Sequence, residues 1–455
     1  MRALEVGAVA ALAIAVPAAA RANGAFPAVQ TVLVPADRPQ ETMLATNFGL
    51  VLTEDGGQTW SWSCEQDANA YAIFYQLGPA PRRRLFALAN GNIIYTDDST
   101  CTWRPSAGLL VNASSDVFPD PTNADRVLAI GIASSDFIVV ESTDGGVTFD
   151  STLYRAADTA VLNGVEVARA DPRIIYLALQ GANGGSPQLM RSADGGAQWT
   201  VNDLSSGVGP GTIRIISVDP DDANTVLLRW TGAAGNDAFV VTHDGGATVA
   251  KTLSIQSSFI SFARMPDGAL VLVGKTVVAG SLIPALFVSH DGGATFVEND
   301  AIPGIVALAQ RGGVLYAAAD NFVDGFALGA SSDEGATWQP VLRFDQVGSI
   351  MACLQANTQC QATCEALAGK GLGSPGKIWE ETVCSGAGGS SGAAGAGGSG
   401  GNGAAGSGGA GGSGGGSSGC GCTLGIDRPR LNNKTAPFGA ALIGIPLLRR
   451  TRRRN

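Results

Sequence analysis

Apolar runs of about five to seven residues recur along most of the chain, rich in Val, Ile, Leu and aromatic residues and separated by polar, turn-forming stretches. Clear cases are Arg126 to Ile132, Ile174 to Leu179, Thr225 to Trp230, Ala269 to Val273 and Val314 to Ala319. Each is followed by a variable loop and a second run that leads into a turn. Asp-Pro corners precede three of them, at Asp120-Pro121, Asp171-Pro172 and Asp219-Pro220. Short β-rich runs at regular spacing, with turn signals between them, predict an all-β chain.

The turns themselves repeat. Seven times the chain writes a variant of Ser/Thr-x-Asp-x-Gly-x-Thr-aromatic: TEDGGQTW from Thr53, TDDSTCTW from Thr96, STDGGVTF from Ser142, SADGGAQW from Ser192, THDGGATV from Thr242, SHDGGATF from Ser289 and SSDEGATW from Ser331. Their aspartates, Asp55, Asp98, Asp144, Asp194, Asp244, Asp291 and Asp333, are separated by 43, 46, 50, 50, 47 and 42 residues. That spacing is the length of a four-stranded blade, so the fold class is all-β, a seven-bladed β-propeller from about residue 26 to 350. Within each turn the Asp carboxylate and the Ser/Thr hydroxyl suit main-chain N–H groups, the Gly accepts positive φ, and the aromatic re-enters a strand. The aspartates are therefore expected to be structural.

These segments resemble Asp-box, or BNR, repeats, the hairpin signature shared by sialidases, sortilin-like receptors, some xyloglucan hydrolases and photosystem assembly factors. The resemblance implies a propeller and no particular activity, because in those families the box lies on the blade periphery, away from the ligand face. A sialidase also needs an Arg-Ile-Pro type motif before the first box. Only Arg38-Pro39 stands there, without the Ile.

No catalytic constellation is recognisable. The two histidines, His243 and His290, fill the same slot of successive turns, a blade apart, which excludes a Ser-His-Asp triad and a His-rich metal centre. Neither cofactor nor metal is expected. A glycoside hydrolase drawing two carboxylates from the central face is the rival to a non-catalytic binding or scaffold module. Loops between second and third strands should line one face, starting at Asn47, Asn90, Ala133, Gln180, Trp230, Lys275 and Asp320. Among these Trp230, as an exposed aromatic for a sugar ring, Lys275, as an anion anchor, and Asp320 are candidate binding residues, and Asp320 with Asp324 are the carboxylates a glycosidase would draw on.

Charge narrows the partners. The net charge of −10 hides a basic terminus: between Asn23 and Cys422 there are 19 Lys plus Arg against 37 Asp plus Glu, a net of −18. Such a body repels phosphate backbones and anionic lipid, so nucleic acid is excluded and the partner is expected to be a protein or glycan met by a monomer. With 45% hydrophobic and 15% charged residues, the chain suits a packed fold.

The two ends read as export signals. Residues 1–22 have a positive start at Arg2, an apolar stretch from Val6 to Val16 and an Ala20-Arg21-Ala22 cleavage site, the pattern of a signal peptide. Eight cysteines in an exported chain point to disulfides. Cys64 is expected to pair with Cys101, and Cys353, Cys360, Cys364 and Cys384 to pair among themselves in a cap over residues 351–384. Residues 385–419 hold 19 glycines in 35 positions, a tether with an end-to-end distance of roughly 30–35 Å. Beyond it come Cys420 and Cys422, the apolar stretch Ala436 to Leu448 and five terminal arginines. That order resembles the MYXO-CTERM class of sorting tail, which implies processing near the Cys motif and delivery to the cell surface or outside it, with membrane contact through the tail alone. The run Gly348 to Cys353 is expected to close the ring by pairing with strands before Thr53, removing exposed strand edges.

Overall fold

A strand sandwiched between two neighbouring sheets must be apolar on both faces, and a strand at the rim need not be. The computed structural model, which describes residues 28–353 apart from 65–71, 109–113, 157–159, 182–183, 233 and 352, sorts its strands in this way. Second and third strands are buried almost end to end, as in Thr42–Thr46 and Gly49–Thr53. Fourth strands such as Ser151–Arg155 and Thr200–Asp203 stay largely exposed.

The chain is a seven-bladed β-propeller built from consecutive antiparallel four-stranded meanders. Blade 1 comprises Val29–Leu33, Thr42–Thr46, Gly49–Thr53 and Ser61–Cys64; blade 2 comprises Ala72–Leu77, Leu85–Ala89, Asn92–Thr96 and Arg104–Pro105. Blade 3 runs through Asp116–Pro119, Val127–Ala133, Asp136–Ser142 and Ser151–Arg155, and blade 4 through Val161–Val167, Ile175–Gln180, Pro187–Ser192 and Thr200–Asp203. Blade 5 holds Thr212–Val218, Val226–Thr231, Asp237–Thr242 and Ala250–Ile255. Blade 6 holds Phe259–Arg264, Leu270–Val278, Ser281–Ser289 and Val297–Asn299, and blade 7 holds Ala307–Arg311, Val314–Ala318, Leu328–Ser331 and Gln339–Leu342. Seven hydrophobic clusters fill the seven seams, one each, including a seam where Leu44 and Trp62 of blade 1 meet Leu328 and Phe344 at the end of the ring.

First strands of neighbouring blades lie against one another, so they line the axis. Five of them carry a β-bulge, at Val29/Thr31, Ala72/Phe74, Leu162/Gly164, Ile215/Ser217 and Phe259/Ser261. As the axial edge of each sheet, these strands also turn alternate main-chain N–H groups away from the ladder, and such a group needs another acceptor. The preceding blade supplies it. Asp116 accepts from Val165 N at 3.1 Å, Glu166 from Val218 N at 3.0 Å, and Asp237 from Phe259 N at 2.7 Å. The Ser261 hydroxyl accepts in the same way from Leu308 N at 2.8 Å, on a strand without a bulge.

Two expectations about closure are corrected. The run after the last turn does join blade 1, but Ser349–Ile350 adds in parallel to the fourth strand, Ser61–Cys64, not to strands before Thr53. The reason is that blade 1 already owns four contiguous strands, which leaves its outer edge as the available ladder. Cys101 pairs with Cys353, so Cys101 is not the partner of Cys64, which is itself disulfide-bonded, and Cys353 does not pair within the cap. The signal segment, the rest of the cap with Cys360, Cys364 and Cys384, the tether, and the tail with Cys420 and Cys422 lie outside the described residues. Among the described residues no helix is long and apolar enough to cross a membrane.

Candidate functional site

The seven aspartates all sit in turns between third and fourth strands. In every one, Oδ1 accepts the Ser/Thr hydroxyl two residues earlier and the N–H four residues later, each at 2.7–2.9 Å. In five, Oδ2 also takes the hydroxyl of the following Thr at 2.5–2.7 Å. Hydrogen bonds to the charged form hold a carboxyl down. Asp55, Asp244, Asp291 and Asp333 are lowered to about 2, the Thr hydroxyl being the largest cause. At Asp144 burial pushes upward, and the bonds from Thr148, Ser142 and Val147 outweigh it to leave about 2 as well. Carboxylates committed in this way have neither the proton nor the lone pairs for acid–base work.

The opposite end carries the loops between second and third strands. Trp230 starts one of them, but it is not an exposed platform: it is buried between blades 4 and 5. Its Nε1 donates to Gly209 O at 3.3 Å, and Lys251 Nζ stands 3.3 Å from the ring centroid. Strand Val226–Thr231 presents it to the seam together with Leu228, which the linear sequence does not disclose. Lys275 is exposed on the blade 6 hairpin. Asp320 is exposed too, but Oδ1 caps its own loop through Phe322 N and Val323 N, while Asp324 Oδ2 takes Asp320 N and Gly304 N. Of the three candidates, only Trp230 is thus withdrawn from the surface; Lys275 and Asp320 stay exposed, Asp320 with one carboxylate oxygen committed to its own loop.

What sequence reasoning missed at this end is its apolar surface. Of seven large exposed hydrophobic residues among the described residues, five lie at this end of two adjacent blades: Val277, Val278 and Leu282 at the tip of the blade 6 hairpin, and Phe322 and Val323 in the blade 7 loop. The blade 6 hairpin has strands of nine residues, Leu270–Val278 and Ser281–Ser289, against four to seven for second and third strands elsewhere, and it turns through Ala279 and Gly280 at φ 50° and 82°. Both positive values mark a twist-compatible two-residue hairpin, so the strands run on past the other blades. Its signal in the sequence was the run of apolar residues on both sides of Ala279-Gly280.

Near the axis, Glu166 keeps a little solvent contact, yet the protein around it strips its hydration. Its carboxyl is pushed up to about 8 by burial, against the Val218 N–H bond and with the Asp116 carboxylate adding to the rise. In blade 5, Arg229 Nε lies 2.6 Å from Asp237 Oδ2, an ion pair with both side chains buried. Burial raises the Asp237 carboxyl despite Arg229. On the turn end a further set comes together, Asp267, His290 and Glu334, with ligand atoms within 4.8 Å of one another.

No protein-family model matches the chain, and no curated protein does. Solved structures similar to it are of low identity. One is the GH74 xyloglucanase from Xanthomonas campestris, at 13% identity and TM-score 0.38, over 68% of this chain and 57% of that one. Another is YCF48 from Cyanidioschyzon merolae, at 14% and 0.45, over 64% and 92%. A third is the β-propeller domain of the Trilobed protease from Pyrococcus furiosus, at 9% and 0.43, over 69% and 98%.

Proposed function

We propose that this chain is an exported, non-catalytic binding module. Its propeller is built from Asp-box repeats and held at the cell surface by the glycine-rich tether and sorting tail, and it meets a protein partner through the second-to-third-strand loops of blades 6 and 7. The observation that carries this reading is the concentration there of five exposed hydrophobic residues, from Val277 at 38% to Val323 at 82%. Contiguous exposed apolar surface on a soluble fold marks contact with another macromolecule. A glycan is less well served, because the described tryptophans that reach this end, Trp62 and Trp230, are both buried. The Cys101–Cys353 bond suits an oxidising compartment outside the cytoplasm.

The reading is tested by placing a photo-crosslinking residue at Val278, at Phe322 and, as a control, at Val297 on an outer strand, in cells that produce the protein. A discrete protein adduct from the first two positions alone is the expected outcome. Equal labelling at all three, or none, would count against it. The rival, glycoside hydrolysis at the axis, has one observation on its side, the raised carboxyl of Glu166 near Asp116. Against it, both carboxylates accept main-chain N–H groups of the next blade. Hydrolysis of any oligosaccharide that disappears in Glu166→Gln would favour the rival.

A further inference from the structure

The two histidines occupy equivalent slots, and comparing their surroundings turns one blade into a control for the other. In blade 5, Thr225 Oγ1 lies 3.0 Å from His243 Nδ1 and donates at 2.7 Å to Asp222, one of three acidic residues in the turn between the first and second strands. In blade 6 the corresponding residues are Asp267, Ala269 and His290. Ala269 has no hydroxyl, so the local partner is lost. His290 instead meets the next blade, with Nε2 3.2 Å from Glu334 Oε2. Asp267 spends Oδ1 on the Ala269 N–H at 3.0 Å, and its carboxylate lies in the same group.

Glu334 is itself a departure. It stands at φ 55° where the turns of blades 1, 3, 4, 5 and 6 have glycine at φ 71–79°. The residue that would face His243 from blade 6 is therefore Gly292, which offers no ligand. One imidazole and two carboxylates from two blades converge only at the junction of blades 6 and 7 among the described residues.

We propose that Asp267, His290 and Glu334 bind one divalent transition-metal ion of the zinc type, joining the rims of blades 6 and 7. A nitrogen and two oxygens form a borderline set that favours Zn²⁺, Ni²⁺ or Cu²⁺ over Ca²⁺ and Mg²⁺, which prefer oxygen alone. Around a tetrahedral zinc with bonds of about 2.1 Å, ligand atoms stand roughly 3.4 Å apart. The side chains of His290 and Glu334 are 61% and 29% exposed, so they are free to close that far, and the open side leaves a position for water.

Titration of the oxidised full-length chain with ZnCl₂, followed by calorimetry, reads the site directly. Wild type should take up one ion with micromolar affinity that Glu334→Gly and His290→Ala weaken at least tenfold. Glu334→Gly installs the residue that five other turns carry, so loss of binding there is not loss of fold. His243→Ala should leave the titration unchanged, and Ca²⁺ should not compete. Co²⁺ bound at this site should show d–d bands without the thiolate charge-transfer band that a cysteine site would give. Absence of binding, equal binding by wild type and Glu334→Gly, or a Co²⁺ spectrum with thiolate character would each overturn the proposal.

Discussion

At the residue scale, the second glycine of the repeated turn is where chemistry leaves least choice. It has φ between 83° and 102° in six blades, and at Gly146 an added Cβ would stand 2.5 Å from the Phe86 ring. Blade 2 breaks the rule with Thr100 at φ 76°, buried, its hydroxyl without a partner among the described residues. A β-branched residue in the left-handed region costs on the order of 1–2 kcal/mol, and a buried unpaired hydroxyl adds to that. Glycine gives part of this back through the entropy of the unfolded chain. Thr100→Gly should therefore stabilise the protein by about 1 kcal/mol, read as a raised midpoint in urea; a lowered midpoint would show that the Thr methyl packs better than its backbone suffers. These turns were fully legible in the sequence because their bonds run between residues two to four apart. The partner of His290 was not, because it belongs to the next repeat, 44 residues on.

At the scale of the element, blades are joined by side chains that answer the N–H groups of the axial strands, and these joints respond to pH. The turn aspartates are lowered, so their contribution is present above the ordinary carboxylate range and lost as pH falls through about 2. Glu166 is raised, so the folded state holds its proton more tightly than the unfolded chain does. Its contribution is complete below the ordinary value of 4.5 and is lost as pH rises through about 8. Thermal stability should then fall both below pH 4 and on going from about pH 5 to 8. Glu166→Gln keeps an oxygen for Val218 N but does not ionise, and should flatten the upper limb while leaving the acid limb as it was. An unchanged upper limb would remove Glu166 as its cause. Blade number and strand order could be read in advance, because apolar runs and turns are local in the chain. The burial of Trp230 could not, since it depends on which face of a strand the neighbouring blade covers. Nor could the axial bulges, which have no composition of their own.

For the whole molecule the question is what keeps a ring of seven consecutive meanders shut. Many rings are locked by a blade whose four strands come from both chain ends, but here the four antiparallel strands of blade 1 and those of blade 7 each come from one continuous segment, and the later chain adds only the short parallel strand Ser349–Ile350 at the outer edge of blade 1. The seam between them is closed first by side chains, with Val32 and Leu44 packed among Ala307, Leu328 and Phe344. Over this the chain lays a strap. Gly348 N donates to Trp60 O and Met351 N to Trp62 O, flanking the parallel pair Ser349–Ile350 on Ser61–Cys64. Cys353 then bonds Cys101 in the turn of blade 2, so a covalent link crosses from the end of blade 7 over blade 1. The loop it closes spans 252 residues, which by chain entropy alone is worth about 5 kcal/mol. A strap laid on a finished ring should add stability without carrying the fold. The double variant Cys101→Ser, Cys353→Ser should accordingly melt several degrees lower but still in one cooperative transition, with amide exchange rising first at Ser349–Ile350 and along Ser61–Cys64. If the variant instead loses the propeller's β signal altogether, side-chain packing is too weak to close the ring and the strap is its lock; if its melting is unchanged, the unfolded chain gains nothing from being freed.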